Sequence, residues 1–85
     1  MSALNQALLE QARRYAENGD GRADKAYALV LENDAFNAEA RTHLARVAMQ
    51  AGKPETALEH LSVALRVAPG KAALWRSMGL TRMAL

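Results

Sequence analysis

The chain has 85 residues, no cysteine and a net charge of +2. This length accommodates one compact unit rather than two independent cores, and the lack of cysteine excludes disulfides and thiolate metal sites. The 11 Lys and Arg residues are scattered among 9 Asp and Glu residues, which argues against a nucleic-acid-binding surface. No apolar run is long enough to span a membrane and no signal peptide is recognisable at the start, so we expect a soluble, cytoplasmic protein.

The spacing of apolar residues predicts an all-α chain, because it follows the period of a helix and nowhere the strict alternation of a strand. In chain order we expect five helices, over residues 2–18, 21–33, 37–51, 54–67 and 71–84. The connections between them are short, which favours antiparallel packing of successive helices.

Capping and turn residues set the expected helix ends. Ser2 and Asn37 are suitable N-caps, because a short side-chain oxygen can accept from amides of the first turn. Gly19 and Gly52 can adopt the left-handed conformation that ends a helix, and Pro54 suits a first helical position.

A constant displacement of the sequence against itself superimposes similar residues along much of the chain. It pairs Ala23 with Ala57, Tyr27 with Leu61, Val30 with Ala64, Leu31 with Leu65, Ala35 with Pro69, Arg41 with Trp75 and Leu44 with Met78. Each of these pairs is 34 positions apart. A fixed interval of this length is typical of helical repeat architectures.

The recurring residues resemble the pattern of the tetratricopeptide repeat family. The match is best over residues 38–71, through Arg41, Leu44, Ala45, Ala48, Gly52, Ala57, Leu61, Ala64 and Pro69, and it resumes with Trp75, Met78 and Gly79. The resemblance implies an α-solenoid of antiparallel helix pairs, about two and a half repeats, over residues 4–37, 38–71 and 72–85 of one domain. We expect this domain to be a fragment of a longer protein. The first repeat has a turn one residue shorter than the second, which leaves the register of the first helix open by one position.

Small residues at three positions are expected to allow neighbouring helices to approach closely. These are Ala45, Ala57 and Gly79. Larger residues such as Tyr27 and Leu61 would fill the space between the layers.

The sequence contains no pattern that predicts catalysis. His43 and His60 lie on different predicted helices without a second ligand three or four residues away. Phosphate-binding loops, serine elbows and HExxH helices are also missing from the sequence. We therefore expect no enzyme activity, no metal and no cofactor.

What the resemblance implies is a concave face, lined by the first helix of each pair, that binds a peptide or partner helix. The predicted groove residues are Arg13, Glu39, Thr42, His43, Arg46, Met49, Arg76, Ser77 and Leu80, with Leu9 and Glu10 as further candidates. The chaperone-tail clamp found in some family members is not matched at the corresponding positions. Three arginines in the predicted groove would nevertheless favour an acidic ligand.

The last predicted helix carries apolar residues around much of its circumference. If these residues are exposed, they form an apolar surface patch that favours association with another protein surface. We expect self-association as a homodimer, or a swap of this helix, through Leu74, Trp75, Met78, Met83 and Leu85. The leading hypothesis is a protein-interaction scaffold. The alternative is an oligomerisation or recruitment segment of a larger enzyme, and RNA binding by a related helical repeat is a third hypothesis that the glycine, alanine and proline pattern disfavours.

Overall fold

The computed structural model describes residues 3–85, and within this range the chain forms five α-helices and no strand. The helices are α1 (Ala3–Glu17), α2 (Arg22–Asn33), α3 (Ala38–Gln50), α4 (Pro54–Val67) and α5 (Ala72–Ala84). The predicted all-α class and the five helices are confirmed, and each predicted helix end from residue 18 onward lies within one residue of the observed end. The N-cap predicted at Ser2 lies outside the described residues. No helix within residues 3–85 has both the length and the hydropathy needed to cross a membrane.

Helices α1 and α3 end in the same type of turn. Gly19 and Gly52 have φ angles of 67° and 74°, in the left-handed region. In both turns the amide of the residue after the glycine donates to the carbonyl five residues earlier, at 2.8 Å. This is the Schellman arrangement, in which a glycine allows the chain to leave the helix while its last carbonyls stay bonded. The predicted role of both glycines is confirmed.

The connections after α2 and α4 also resemble each other. Arg41 Nε donates a hydrogen bond to the carbonyl of Ala35, and Trp75 Nε1 donates one to the carbonyl of Pro69, each at 2.9 Å. In both cases a side chain from the first half of one helix holds the connection that precedes it. The displacement of the sequence superimposes the donor Arg41 on the donor Trp75, and the acceptor Ala35 on the acceptor Pro69.

The third helix begins at the predicted cap. Asn37 Oδ1 accepts a hydrogen bond from the amide of Ala40 at 3.0 Å. This bond satisfies one of the amides that the first turn of α3 leaves without a helical partner.

Helices α2 and α3 run antiparallel to each other. Asp24 of α2 contacts His43 of α3, and Tyr27, one turn further along α2, contacts Glu39. Residue numbers thus rise along α2 as they fall along α3.

Two apolar clusters hold the described helices together, and both are rich in alanine. The first joins α1, α2 and the start of α3 through Leu9, Ala12, Ala23, Ala26, Tyr27, Val30 and Ala40. The second joins α3, α4 and α5 through Ala45, Ala48, Ala57, Leu61, Ala64, Leu65, Leu74 and Met78. Because α3 contributes to both clusters, it connects the two halves of the molecule.

The small residues singled out in the sequence have different environments. Ala57 is fully buried and Ala45 is nearly so, as expected for positions of close helix contact. Gly79 is exposed, and a Cβ atom added there would meet nothing within 4 Å. The close approach predicted at Gly79 is therefore not found, because none of the described helices packs against that side of α5.

Candidate partner-binding groove

A pocket of about 270 Å³ lies between α3 and α5. The buried side chains of Ala45 and Leu61 form its apolar floor. Its walls come from Thr42, Arg46 and Met49 of α3 and from Ser77, Leu80 and Thr81 of α5.

The pocket includes much of the groove predicted from the sequence. Thr42, Arg46 and Met49 are separated by four and three residues, so they occupy one stripe of α3. Ser77 and Leu80 occupy the facing stripe of α5. These five predicted residues are thus brought together around one apolar floor.

A second hollow of about 480 Å³ adjoins the first and shares Thr42 and Arg46 with it. Its lining includes the predicted residues Glu39 and His43, together with Lys71 at the start of α5. A third hollow near the turn between α1 and α2 is also lined by Arg46. Arg46 therefore lies where the three hollows meet.

Arg13 forms an ion pair with Glu39 of the same chain, although half of its side chain remains exposed. Its Nε and NH2 groups each donate to a carboxylate oxygen of Glu39 at 2.6 Å, which links α1 to α3. The hydrogen bond from Arg13 is the main cause that lowers the pKa of Glu39, and the same bond raises the pKa of Arg13. Tyr27 adds a hydrogen bond from its hydroxyl to Glu39 at 3.2 Å, and burial is the main reason that the pKa of Tyr27 is raised.

His43 forms part of the groove wall through contacts with α2. Its Nε2 atom lies 2.8 Å from Oδ1 of Asp24, and its ring stacks on Tyr27 with 4.4 Å between the ring centroids. The side chain of His43 is only 14% exposed, which restricts its access to a ligand. Sequence reasoning missed the partners of His43 because they lie on another helix and share no local pattern with it.

The remaining candidates from the sequence lie elsewhere. Leu9 is buried in the first apolar cluster, so it is not a groove residue. Arg76 and Glu10 are exposed and line none of the three hollows described above.

The residues predicted for self-association divide into two groups. Leu74 and Met78 are 4% and 5% exposed and pack in the second apolar cluster, so they cannot form an outer contact surface. Trp75, Met83 and Leu85 are 56%, 84% and 58% exposed and are accessible on α5.

The second histidine is paired with an arginine. Arg41 NH1 lies 3.0 Å from Nδ1 of His60, and because a guanidinium can only donate, Nδ1 accepts. Burial, followed by the charge of Arg41, lowers the pKa of His60. Among the described residues, no group of three or more His, Cys, Asp or Glu side chains is placed to hold a metal ion.

Comparison with models of known protein families finds no match, and no curated protein matches the sequence. The packing of the helices and the groove between them are therefore the basis for inferring a function.

Proposed function

We propose that this chain is a tetratricopeptide-like repeat module that binds a peptide or a partner helix in the groove between α3 and α5. In this proposal α1 and α2 form the first helix pair, α3 and α4 the second, and α5 the first helix of a third. The recurrence of equivalent turns at Gly19 and Gly52, and of equivalent side-chain hydrogen bonds from Arg41 and Trp75, supports the repeat.

The observation that carries the binding function is the pocket between α3 and α5. Helices α3 and α5, which are the first helices of two neighbouring pairs in this proposal, present apolar side chains and a few polar groups around a buried floor of Ala45 and Leu61. Ligand sites in proteins typically combine such a concave apolar surface with a few placed polar groups. Met49 and Leu80 are exposed at its walls and supply apolar contact area for a ligand.

A random dodecapeptide library displayed on phage tests this function. Peptides selected on the immobilised protein are synthesised, and their affinities are measured by fluorescence anisotropy. We expect Met49→Glu and Leu80→Glu each to weaken binding by about tenfold or more, because each places a charge against an apolar contact. Leu29→Glu is the matched control, since Leu29 is an exposed residue of α2 that lines none of the three hollows.

The proposal fails if no peptide is selected. It also fails if Leu29→Glu weakens binding as much as Leu80→Glu, since the groove would then not be the binding surface.

Self-association through α5 is a second candidate function, favoured by the exposure of Trp75, Met83 and Leu85. Self-association of this kind would also be expected of the alternative function, an oligomerisation segment attached to a larger enzyme. Multi-angle light scattering is expected to show dimers that increase with concentration, and Met83→Glu is expected to shift them to monomers. Leu29→Glu again serves as the control. A wild-type chain that stays monomeric at millimolar concentration would exclude this candidate.

A further inference from the structure

The charged side chains of the groove differ in whether they have partners. Glu39 is bonded to Arg13, and Asp24 is bonded to His43. In contrast, none of the ion pairs within residues 3–85 includes Arg46 or Lys71. The acidic groups of the groove thus have partners, whereas Arg46 is in no ion pair. Lys71 is also outside the ion pairs, although its charge helps to lower the pKa of Glu39.

We propose that the ligand is an acidic peptide segment that inserts an apolar side chain between α3 and α5 and pairs a neighbouring carboxylate with Arg46. This inference rests on the proposed binding function and adds the chemical class of the partner. Lys71, in the adjoining hollow, provides a second cation further along the same surface.

The composition of the pocket accounts for the apolar part of the ligand. Ala45, Met49, Leu61 and Leu80 supply apolar contact area, and Arg46 is the charged residue of the lining. Burying an aliphatic side chain on such a floor is favourable because apolar surface is removed from water.

The two threonine hydroxyls of the pocket do not demand a polar ligand. Thr42 Oγ1 already donates to the carbonyl of Ala38 at 2.7 Å, and Thr81 Oγ1 donates to that of Ser77 at 2.8 Å. An apolar side chain can therefore enter without leaving these donors unsatisfied.

Arg46 accounts for the acidic part of the ligand. It is exposed and lines the apolar pocket, so a carboxylate bound to it would lie beside the inserted side chain. A guanidinium can donate two parallel hydrogen bonds to one carboxylate, which makes the pairing directional as well as electrostatic.

A peptide fits this surface better than a single-stranded nucleic acid does. Nucleic-acid grooves use exposed aromatic rings on which bases stack. The aromatic rings that line these hollows, Tyr27 and His43, stack on each other, and Tyr27 is 4% exposed and the His43 side chain 14%.

The test uses the peptides selected from the phage library. We expect them to be enriched in Asp or Glu within about three residues of a large aliphatic residue, because Arg46 lines the same pocket that takes the aliphatic side chain and three extended residues span only about 10 Å. For a selected peptide, replacing the acid by its amide should weaken binding by about tenfold or more, as expected for the loss of a charge-assisted hydrogen bond.

The variants of the protein should mirror this result. Arg46→Gln should weaken the acidic peptide by a similar factor and leave its amide version almost unaffected, whereas Arg46→Lys should weaken the acidic peptide less. Arg66→Gln is the matched control, because Arg66 is an exposed arginine of α4 that lines none of the hollows.

Several results would overturn this inference. If the selected peptides carry no acidic residues, or if Arg46→Gln has the same effect as Arg66→Gln, the acidic ligand is wrong and the groove function survives. If oligouridylate competes with the peptides at equal or lower concentration, the partner class is wrong. If no selected peptide depends on Met49 or Leu80, the proposed function fails together with this inference.

Discussion

At the scale of single residues, Gly52 adopts a backbone conformation that strains other amino acids. Its φ is 74°, although a Cβ added there meets nothing within 4 Å, so the cost of a side chain is conformational rather than steric with neighbours. We expect Gly52→Ala to lower the free energy of unfolding by roughly 1–2 kcal/mol and the melting temperature by roughly 5–15 °C.

Gly21 provides the matched comparison for this prediction. Its φ and ψ of −60° and −16° are helical, so alanine fits there without strain. Gly21→Ala should stabilise the chain by about 0.4–1 kcal/mol, because it restricts the unfolded state. Thermal unfolding followed by circular dichroism measures both variants, and equal shifts of the same sign would contradict the prediction.

His60 gives the stability a dependence on pH. Burial, followed by the charge of Arg41, lowers the pKa of His60 in the folded chain. As the pH falls through the pKa that His60 has in the unfolded chain, the unfolded chain therefore binds more protons than the folded chain does. The contribution of the neutral ring to the free energy of unfolding is therefore fully present above about pH 6.5, the ordinary pKa of histidine, and it decreases at lower pH. We expect His60→Gln to flatten the decrease between about pH 7 and 5, measured by urea denaturation at each pH. A variant that loses stability as steeply as the wild type would contradict this cause.

The residues that could be predicted from the sequence are those whose partners are local. Asn37 caps a helix three residues ahead, and Gly52 ends the helix that precedes it, so short patterns identify both. The pairs Arg13–Glu39 and Asp24–His43 could not be predicted, because they depend on how one helix is rotated against another. For the same reason the sequence does not show which apolar residues of α5 are buried. This helix has apolar residues on several sides, and composition alone does not identify the side that packs against the rest of the chain.

At the scale of helices, the turn between α1 and α2 explains the register that the sequence leaves open. Ala12 and Ala45 are both buried, and they are separated by the same interval as Gly19 and Gly52, which end α1 and α3. The shorter first turn makes this interval one residue less than the interval between Ala23 and Ala57, which are both buried in α2 and α4. The turn thus changes the spacing without changing the pattern of burial.

The close packing of α4 depends on Ala57, which has no exposed surface. Ala57→Arg would force a long charged side chain into the second apolar cluster. We expect it to cost on the order of 3 kcal/mol or more and to lower the melting temperature by roughly 10 °C or more. Thr56→Arg, at the exposed neighbouring position, should change the melting temperature by only a few degrees. An unchanged melt for Ala57→Arg would refute the packing role of this alanine.

At the scale of the whole molecule, α3 is packed on two sides while α5 is packed on one. Helix α3 supplies Ala40 to the first apolar cluster and Ala45 and Ala48 to the second. Helix α5 is anchored by Leu74, Met78 and Thr81, and the rest of its surface is largely exposed. Local opening should therefore be easiest in α5, because few buried contacts oppose it.

Hydrogen exchange measures this difference in packing. Met78→Ala should raise the exchange rates of α5 amides by a large factor while affecting α1 and α2 much less, since Met78 belongs to the second cluster only. Leu9→Ala, in the first cluster, should mainly affect α1 and α2. Equal acceleration across all helices in both variants would mean that the chain opens only as a single unit.

The groove itself was partly predictable. Thr42, Arg46 and Met49 of α3, and Ser77 and Leu80 of α5, are positions that the resemblance to tetratricopeptide repeats implies, and all five line the pocket. The actual availability of Arg46 and the engagement of Arg13 depend on ion pairs between helices, which no linear pattern encodes.

The shared contact of Arg41 and Trp75 also bears on how relatives of this chain can be recognised. A guanidinium and an indole differ in charge, size and aromaticity, yet each reaches back six positions with one N–H to the same kind of carbonyl. The geometry of the contact is kept although the chemistry of the side chain changes. We therefore expect a homologue of this chain to keep an N–H donor at this place even where neither arginine nor tryptophan is present.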